Sequence, residues 1–177
     1  FGGSNQYGNV ANASFTIDHA SGCTELILES FGGANEADIT GDITTNLLCS
    51  NVPVQIGSFY GGSNAADIDG NVTLNVYGGI YENVFGGSKG RSGNTSADSA
   101  NIDGNVTLNL FGGTMVNAFG GSDVNGNITG SINVNMLDFG GTCGLQVNNV
   151  FGGGRNAAYT PDDATTDSIT VNIIHRT

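Results

Sequence analysis

The chain has 177 residues, 30 of them Gly, with 16 Asp and Glu against 4 Lys and Arg, a formal net charge of -12. This acid excess repels phosphate backbones and anionic lipid, so neither nucleic-acid binding nor membrane-surface binding is expected. No stretch is long and apolar enough to cross a bilayer, and 38% hydrophobic residues in regular bursts argue for a packed chain despite the Gly content.

An aromatic–Gly–Gly unit opens the chain at Phe1 and returns at Phe31, Tyr60, Phe85, Phe119 and Phe151. The intervals are about 30, 29, 25, 34 and 32 residues, a period of solenoid size. Between these units runs a second pattern: FTID (15–18), ITTN (43–46), VTLN (72–75), VTLN (106–109), INVN (132–135) and ITVN (169–172). Apolar residues alternate there with Thr and Asn, the period-2 signature of a half-buried strand. Helical periodicity is absent. Each strand is entered through a short turn, ITGD (39–42) or IDGN (68–71 and 102–105). In the middle copies it is followed by a Gly-Gly bend at Tyr77 or Phe111, then by a second short strand such as YENVF (81–85). A variable loop closes the unit, the longest being KGRSGNTSADSA (89–100). Gly32, Gly33, Gly61, Gly62, Gly86, Gly87, Gly120, Gly121, Gly152 and Gly153 are therefore read as structural corners. There Gly would supply positive φ and let neighbouring backbones approach.

The units are too short for propeller blades, and a sandwich has no reason to repeat one turn at one offset. The expected fold is all-β, a parallel β-solenoid (β-helix) of roughly six coils of about 25–34 residues, forming a single domain over 1–177. The chain opens inside a repeating unit, FGGS (1–4), and closes on SITVNIIHRT (168–177) without a polar cap. It is accordingly read as part of a longer repeat protein or as a filament protomer, its partners being flanking repeats or further copies joined end to end.

The runs DIDGNVTLNVYGGIYENVFGGS (67–88) and CGLQVNNVFGGGRNAAYT (143–160) resemble the large repeat-built surface proteins of gut Bacteroidota-type bacteria. The likeness covers nearly the whole chain and is weakest over 1–30. It implies an extracellular or cell-surface location, an adhesin-like or structural role toward host or microbial surface glycans or proteins, and no catalytic residues.

Candidate chemistry is sparse. Asp67, Asp69 and Asp103, with Asp98, are oxygen ligands that a structural Ca²⁺ would accept, although the third Gly and the Asp spacing of the calcium-binding nonapeptide are missing. The bland alternative is solvated loop acids. Polysaccharide-processing β-helices use paired carboxylates, for which Asp38, Asp67, Asp69 and Asp103 are candidates. Acids that recur in successive coils look like a structural column, however. The cations Lys89, Arg91, Arg155 and Arg176 are scattered, and His19 and His175 lie near opposite ends. No catalysis is expected, with a carbohydrate-binding or lyase-like β-helix as the alternative. Ice binding is a third reading, through a Thr column of Thr16, Thr44, Thr73 and Thr107 that Asn133 interrupts before Thr170. Among Cys23, Cys49 and Cys143, a Cys23–Cys49 disulfide between adjacent coils is possible, with buried free thiols as the other reading. Sequons at Asn12, Asn71, Asn94, Asn105 and Asn127 coincide partly with strand entries, where turn-forming Asn is expected anyway.

Overall fold

A computed structural model describes residues 1–18, 26–93, 99–138 and 142–175. The fold is the expected one. One parallel sheet holds β1 (Ala13–Ile17), β3 (Ile43–Leu47), β5 (Val72–Val76), β7 (Val106–Leu110), β9 (Ile132–Asp138) and β11 (Ile169–His175) in that order. A second holds β2 (Leu26–Phe31), β4 (Gln55–Tyr60), β6 (Ile80–Phe85), β8 (Gly113–Phe119) and β10 (Leu145–Phe151). The chain alternates between the two, so each coil contributes one strand to each face. The coil count falls slightly short of six, because the second face has five strands. No helix occurs among the described residues.

A third line of contact runs through the turn before each first-face strand, where Val10, Ile39, Ile68, Ile102 and Ile128 form parallel bridges. These isoleucines pack with Ile43, Val72, Val106 and Ile132 into one apolar cluster. Between the sheets lies a second, in which Leu47, Leu74 and Leu108 meet Ile56, Phe59, Tyr81, Val84 and Met115. Burial of a Leu or Ile in such columns contributes about 1.5–3 kcal/mol each, so the repeat of apolar positions is what closes the coil.

Register is set by side chains at the strand entries. Asn12, Asp42, Asn71 and Asn105 each accept, through Oδ1, the backbone N–H of the equivalent residue one coil on: Asp42, Asn71, Asn105 and Ser131 at 2.7–3.0 Å. The ladder corrects the first coil. The expected alignment placed FTID (15–18) beside ITTN (43–46), but Ala13 pairs with Ile43 and Phe15 with Thr45, a slip of two residues. A two-residue slip preserves the in–out alternation, so hydrophobic pattern does not distinguish the two registers. Two residues separate Val10 from Ala13, where the later turns have three, and Asn12 holds the shorter turn to Asp42. The Thr column therefore starts at Ser14, and Thr16 faces Asn46.

The corner glycines are required for a different reason from the one expected. None of the ten has positive φ; that conformation falls instead on Gly8, Gly79, Gly90, Gly113 and Gly126, of which Gly79 and Gly113 close the bends after β5 and β7. A Cβ on Gly32, Gly61, Gly86 or Gly120 would stand 2.2–2.5 Å from the carbonyl oxygen of the matching Gly in the next coil. Beside them, Ser63, Ser88 and Ser122 fill the space next to Gly33, Gly62 and Gly87, and their Oγ atoms accept the N–H of Ala34, Ser63 and Ser88 at 3.1 Å. At Gly32, Gly61, Gly86 and Gly120 close axial approach of backbones, not turn handedness, excludes a side chain, whereas Gly153 meets only Ile169 Cδ1 at 3.6 Å.

Candidate functional site: the aromatic edge and the variable loops

The aromatic residue before each Gly-Gly corner joins a continuous stack. Phe1, Phe31, Tyr60, Phe85, Phe119 and Phe151 follow one another at 4.6–5.0 Å between centroids, with planes within 3–11°. The ring edges are flanked by cations from the loops. Lys89 Nζ lies 6.0 Å from the Phe31 and Tyr60 centroids, and the Arg155 guanidinium lies 5.3 Å from that of Phe85.

The described cations lie in loops, as the sequence suggested, and each is paired with an acid of another coil. Lys89 bonds both oxygens of Glu29 at 2.7 and 2.8 Å, and Arg91 pairs with Glu36. Arg155 grips Asp123 with Nε and one terminal nitrogen at 2.7 and 2.9 Å. Asp123 is 1% exposed and also accepts the Tyr60 hydroxyl at 3.0 Å. Burial, reinforced by the Asp123 charge, pushes the Tyr60 hydroxyl well above its ordinary range, so it remains a donor. The hydrogen bond from Arg91 holds Glu36 below the ordinary carboxylate value. Arg176 and His19 lie outside the described residues.

The candidate Ca²⁺ ligands occupy ladders. Asp67 Oδ1 accepts the N–H of Asn101 at 2.8 Å, and Asp38 Oδ1 accepts that of Asp67 at 3.2 Å. Asp69 and Asp103 occupy the next column, where the Asp69 N–H bonds the Ile39 carbonyl and the Asp103 N–H that of Ile68, both at 2.9 Å. Partial burial, then the charges of Asp38 and Asp103, raise the Asp67 carboxyl above the ordinary value, against the pull of the Asn101 N–H. No group of three or more acidic, His or Cys side chains is placed to hold a metal among the described residues. Asp98 lies outside them.

The cysteine pairing expected from adjacent coils is overturned. Cys49 is bonded to Cys143, with Cα atoms 5.9 Å apart, while Cys23 lies outside the described residues. The loops after β3 and before β10 lean toward each other over the tight bends of the two coils between them. A Cβ on Gly78 would meet Cys49 Cα at 2.7 Å and Cys143 Sγ at 3.2 Å, and the Gly113 N–H donates to the Cys143 carbonyl at 3.0 Å. The Gly-Gly bends of β5–β6 and β7–β8 thus make the space that the clasp occupies.

Comparison with protein-family models, with curated proteins and with solved structures gave no match. The chemistry is therefore read from this chain's own residues. Sequence reasoning missed Asp123 as a buried partner for Tyr60 and Arg155. Its one signal was an acid directly after the corner Ser, at the position where the preceding coil has Lys89.

Proposed function

We propose that the protein is a structural and adhesive rod segment of an extracellular or cell-surface β-solenoid, without catalysis. Its end rungs would stack on further rungs of the same kind, from flanking repeats or from another copy. The observation that carries this reading is the set of ladders along the axis. Asn46, Asn75, Asn109, Asn135 and Asn172 are linked Nδ2 to Oδ1 at 2.8–3.0 Å from rung to rung. Ser58, Asn83, Asn117 and Asn149 form a matching line on the second face. Side chains committed to holding one coil on the next leave little for a reaction centre. A disulfide with Cys49 exposed and Cys143 half-buried suits an oxidising compartment. The apolar columns are presented at the end rungs, with Phe1 54% and Ile173 71% exposed.

Electron microscopy of the oxidised chain over a range of concentrations tests the reading. The expected result is end-to-end strings one rod wide, lost in Ile173→Lys, since a charge on an exposed strand edge blocks pairing. Dispersed particles at every concentration would overturn self-stacking. Release of sugars or unsaturated oligosaccharides from polysaccharide substrates would overturn the non-catalytic part.

A further inference from the structure

The columns recur from rung to rung, so a site particular to one place on the rod is to be sought where the repeat breaks. It breaks most in the loops beyond the aromatic corners. Where one coil carries Gln6-Tyr7 and the next Glu36-Ala37, the third carries Ala65-Ala66, and the fourth replaces the short loop by the long one at 89–100. The two alanines, 8% and 3% exposed, floor a groove of about 390 Å³. Glu36 and Arg91 pair across the intervening coil, so their ion pair spans that floor. Gln6 and Tyr7 form one lip: the Gln6 amide gives one N–H to Glu36 at 3.4 Å and keeps a second, and Tyr7 is 90% exposed.

Asp38 and Asp67 also line the groove. Each commits one oxygen to the backbone ladder, to the N–H of Asp67 and of Asn101 respectively, and so keeps a second oxygen as an acceptor. The groove thus combines carboxylate acceptors, amide and guanidinium donors, and one solvent-facing aromatic ring. Such a set suits a ligand bearing several hydroxyls on a weakly polar ring. The carboxylates outnumber the single Arg91, which selects against an anionic ligand.

We propose that this groove binds a neutral saccharide. Hydroxyls donate to the Asp38 and Asp67 carboxylates and accept from Gln6, while the Tyr7 ring covers a C–H face of the sugar. No bond is made or broken. The inference does not rest on the rod reading, because one chain carries the whole groove.

Calorimetric titration of the oxidised chain with cellohexaose, xylohexaose and mannohexaose, and with hexagalacturonate as the anionic comparison, tests it. At least one neutral hexasaccharide is expected to bind, and hexagalacturonate is not. Tyr7→Ala is expected to weaken binding about tenfold, and Gln6→Ala combined with it should abolish the signal. Both positions are exposed, and an unchanged melting midpoint confirms that the variants are folded. Leu28→Ser, on the outer face of the second sheet and 75% exposed in the native chain, should bind like the wild type. The proposal is overturned if none of the three neutral sugars binds, if the double variant binds undiminished, or if hexagalacturonate binds more tightly. It is equally overturned if Ca²⁺ alone titrates the groove, in competition with the sugar. String formation in the microscope is a separate readout, so either reading can fail without the other.

Discussion

Thr45 shows what one residue can cost in a repeated column. It stands between Phe15 and Leu74 in a line that continues through Leu108 and Val134, and its Oγ1 is buried with no hydrogen-bond partner. An unsatisfied buried hydroxyl costs about 1–3 kcal/mol, whereas a methyl of the same shape costs nothing there. Thr45→Val is therefore expected to stabilise the chain by about 1 kcal/mol, read as a higher urea midpoint with unchanged slope. A fall in midpoint would show that the hydroxyl has a role. Asp67 makes the opposite kind of case. Its raised pKa means that the folded chain holds the proton more tightly than the unfolded one. Its contribution is therefore most favourable below the ordinary value of 3.8 and is lost as pH rises through the raised folded value. Asp67→Asn keeps an oxygen for the Asn101 N–H and removes the repulsion from Asp38 and Asp103. The expected gain at pH 7 is below about 1 kcal/mol, because the site is open to solvent. It should shrink as the pH is lowered toward 4, and a gain that grows on acidification would refute the assignment.

At the scale of the element, the corner and the strand differ in how much the sequence disclosed. VTLNV and its copies were legible because alternation, β-branching and repetition all agree. The corner glycines were legible as positions but not in their cause, because a short interatomic approach between coils leaves the same residue in the sequence as a left-handed turn does. The two causes make different predictions. Gly86→Ala places a methyl 2.5 Å from the Gly120 carbonyl oxygen and should cost about 2–3 kcal/mol. Gly153→Ala meets only Ile169 Cδ1 at 3.6 Å and should stay within about 0.5 kcal/mol of the wild type. Chemical denaturation of the pair checks this. Equal losses would return the argument to turn conformation. The first coil was misaligned for a comparable reason: its turn is one residue shorter, and period-2 patterning does not register that.

For the whole molecule, the disulfide is the feature that spacing along the chain concealed. Cys49 and Cys143 are 94 residues apart and belong to coils separated by two others, so a rule based on adjacent coils joins the wrong thiols. Their meeting depends on long loops at those two coils and tight bends between, a difference visible only when the corners are stacked. The groove at Ala65 and Ala66 was hidden in the same way. It arises from unequal loop lengths in neighbouring coils, not from any motif. Closing so long a loop restricts the unfolded chain, and reduction, or Cys49→Ser with Cys143→Ser, should lower stability by about 3–4 kcal/mol. Urea unfolding with and without a thiol reductant measures this, and coincident curves would show that the bond adds nothing.

The same bond also governs how the protein bears tension. Pulled by its two ends, an oxidised chain passes force along residues 1–49, across the S–S bond and on through 143–177. The 93 residues between the cysteines carry no load. At about 3.5 Å per extended residue, some 330 Å of potential lengthening is withheld until the bond is reduced. The clasp is thus a mechanical bypass, under which the outer rungs can unravel while the middle of the rod keeps its shape.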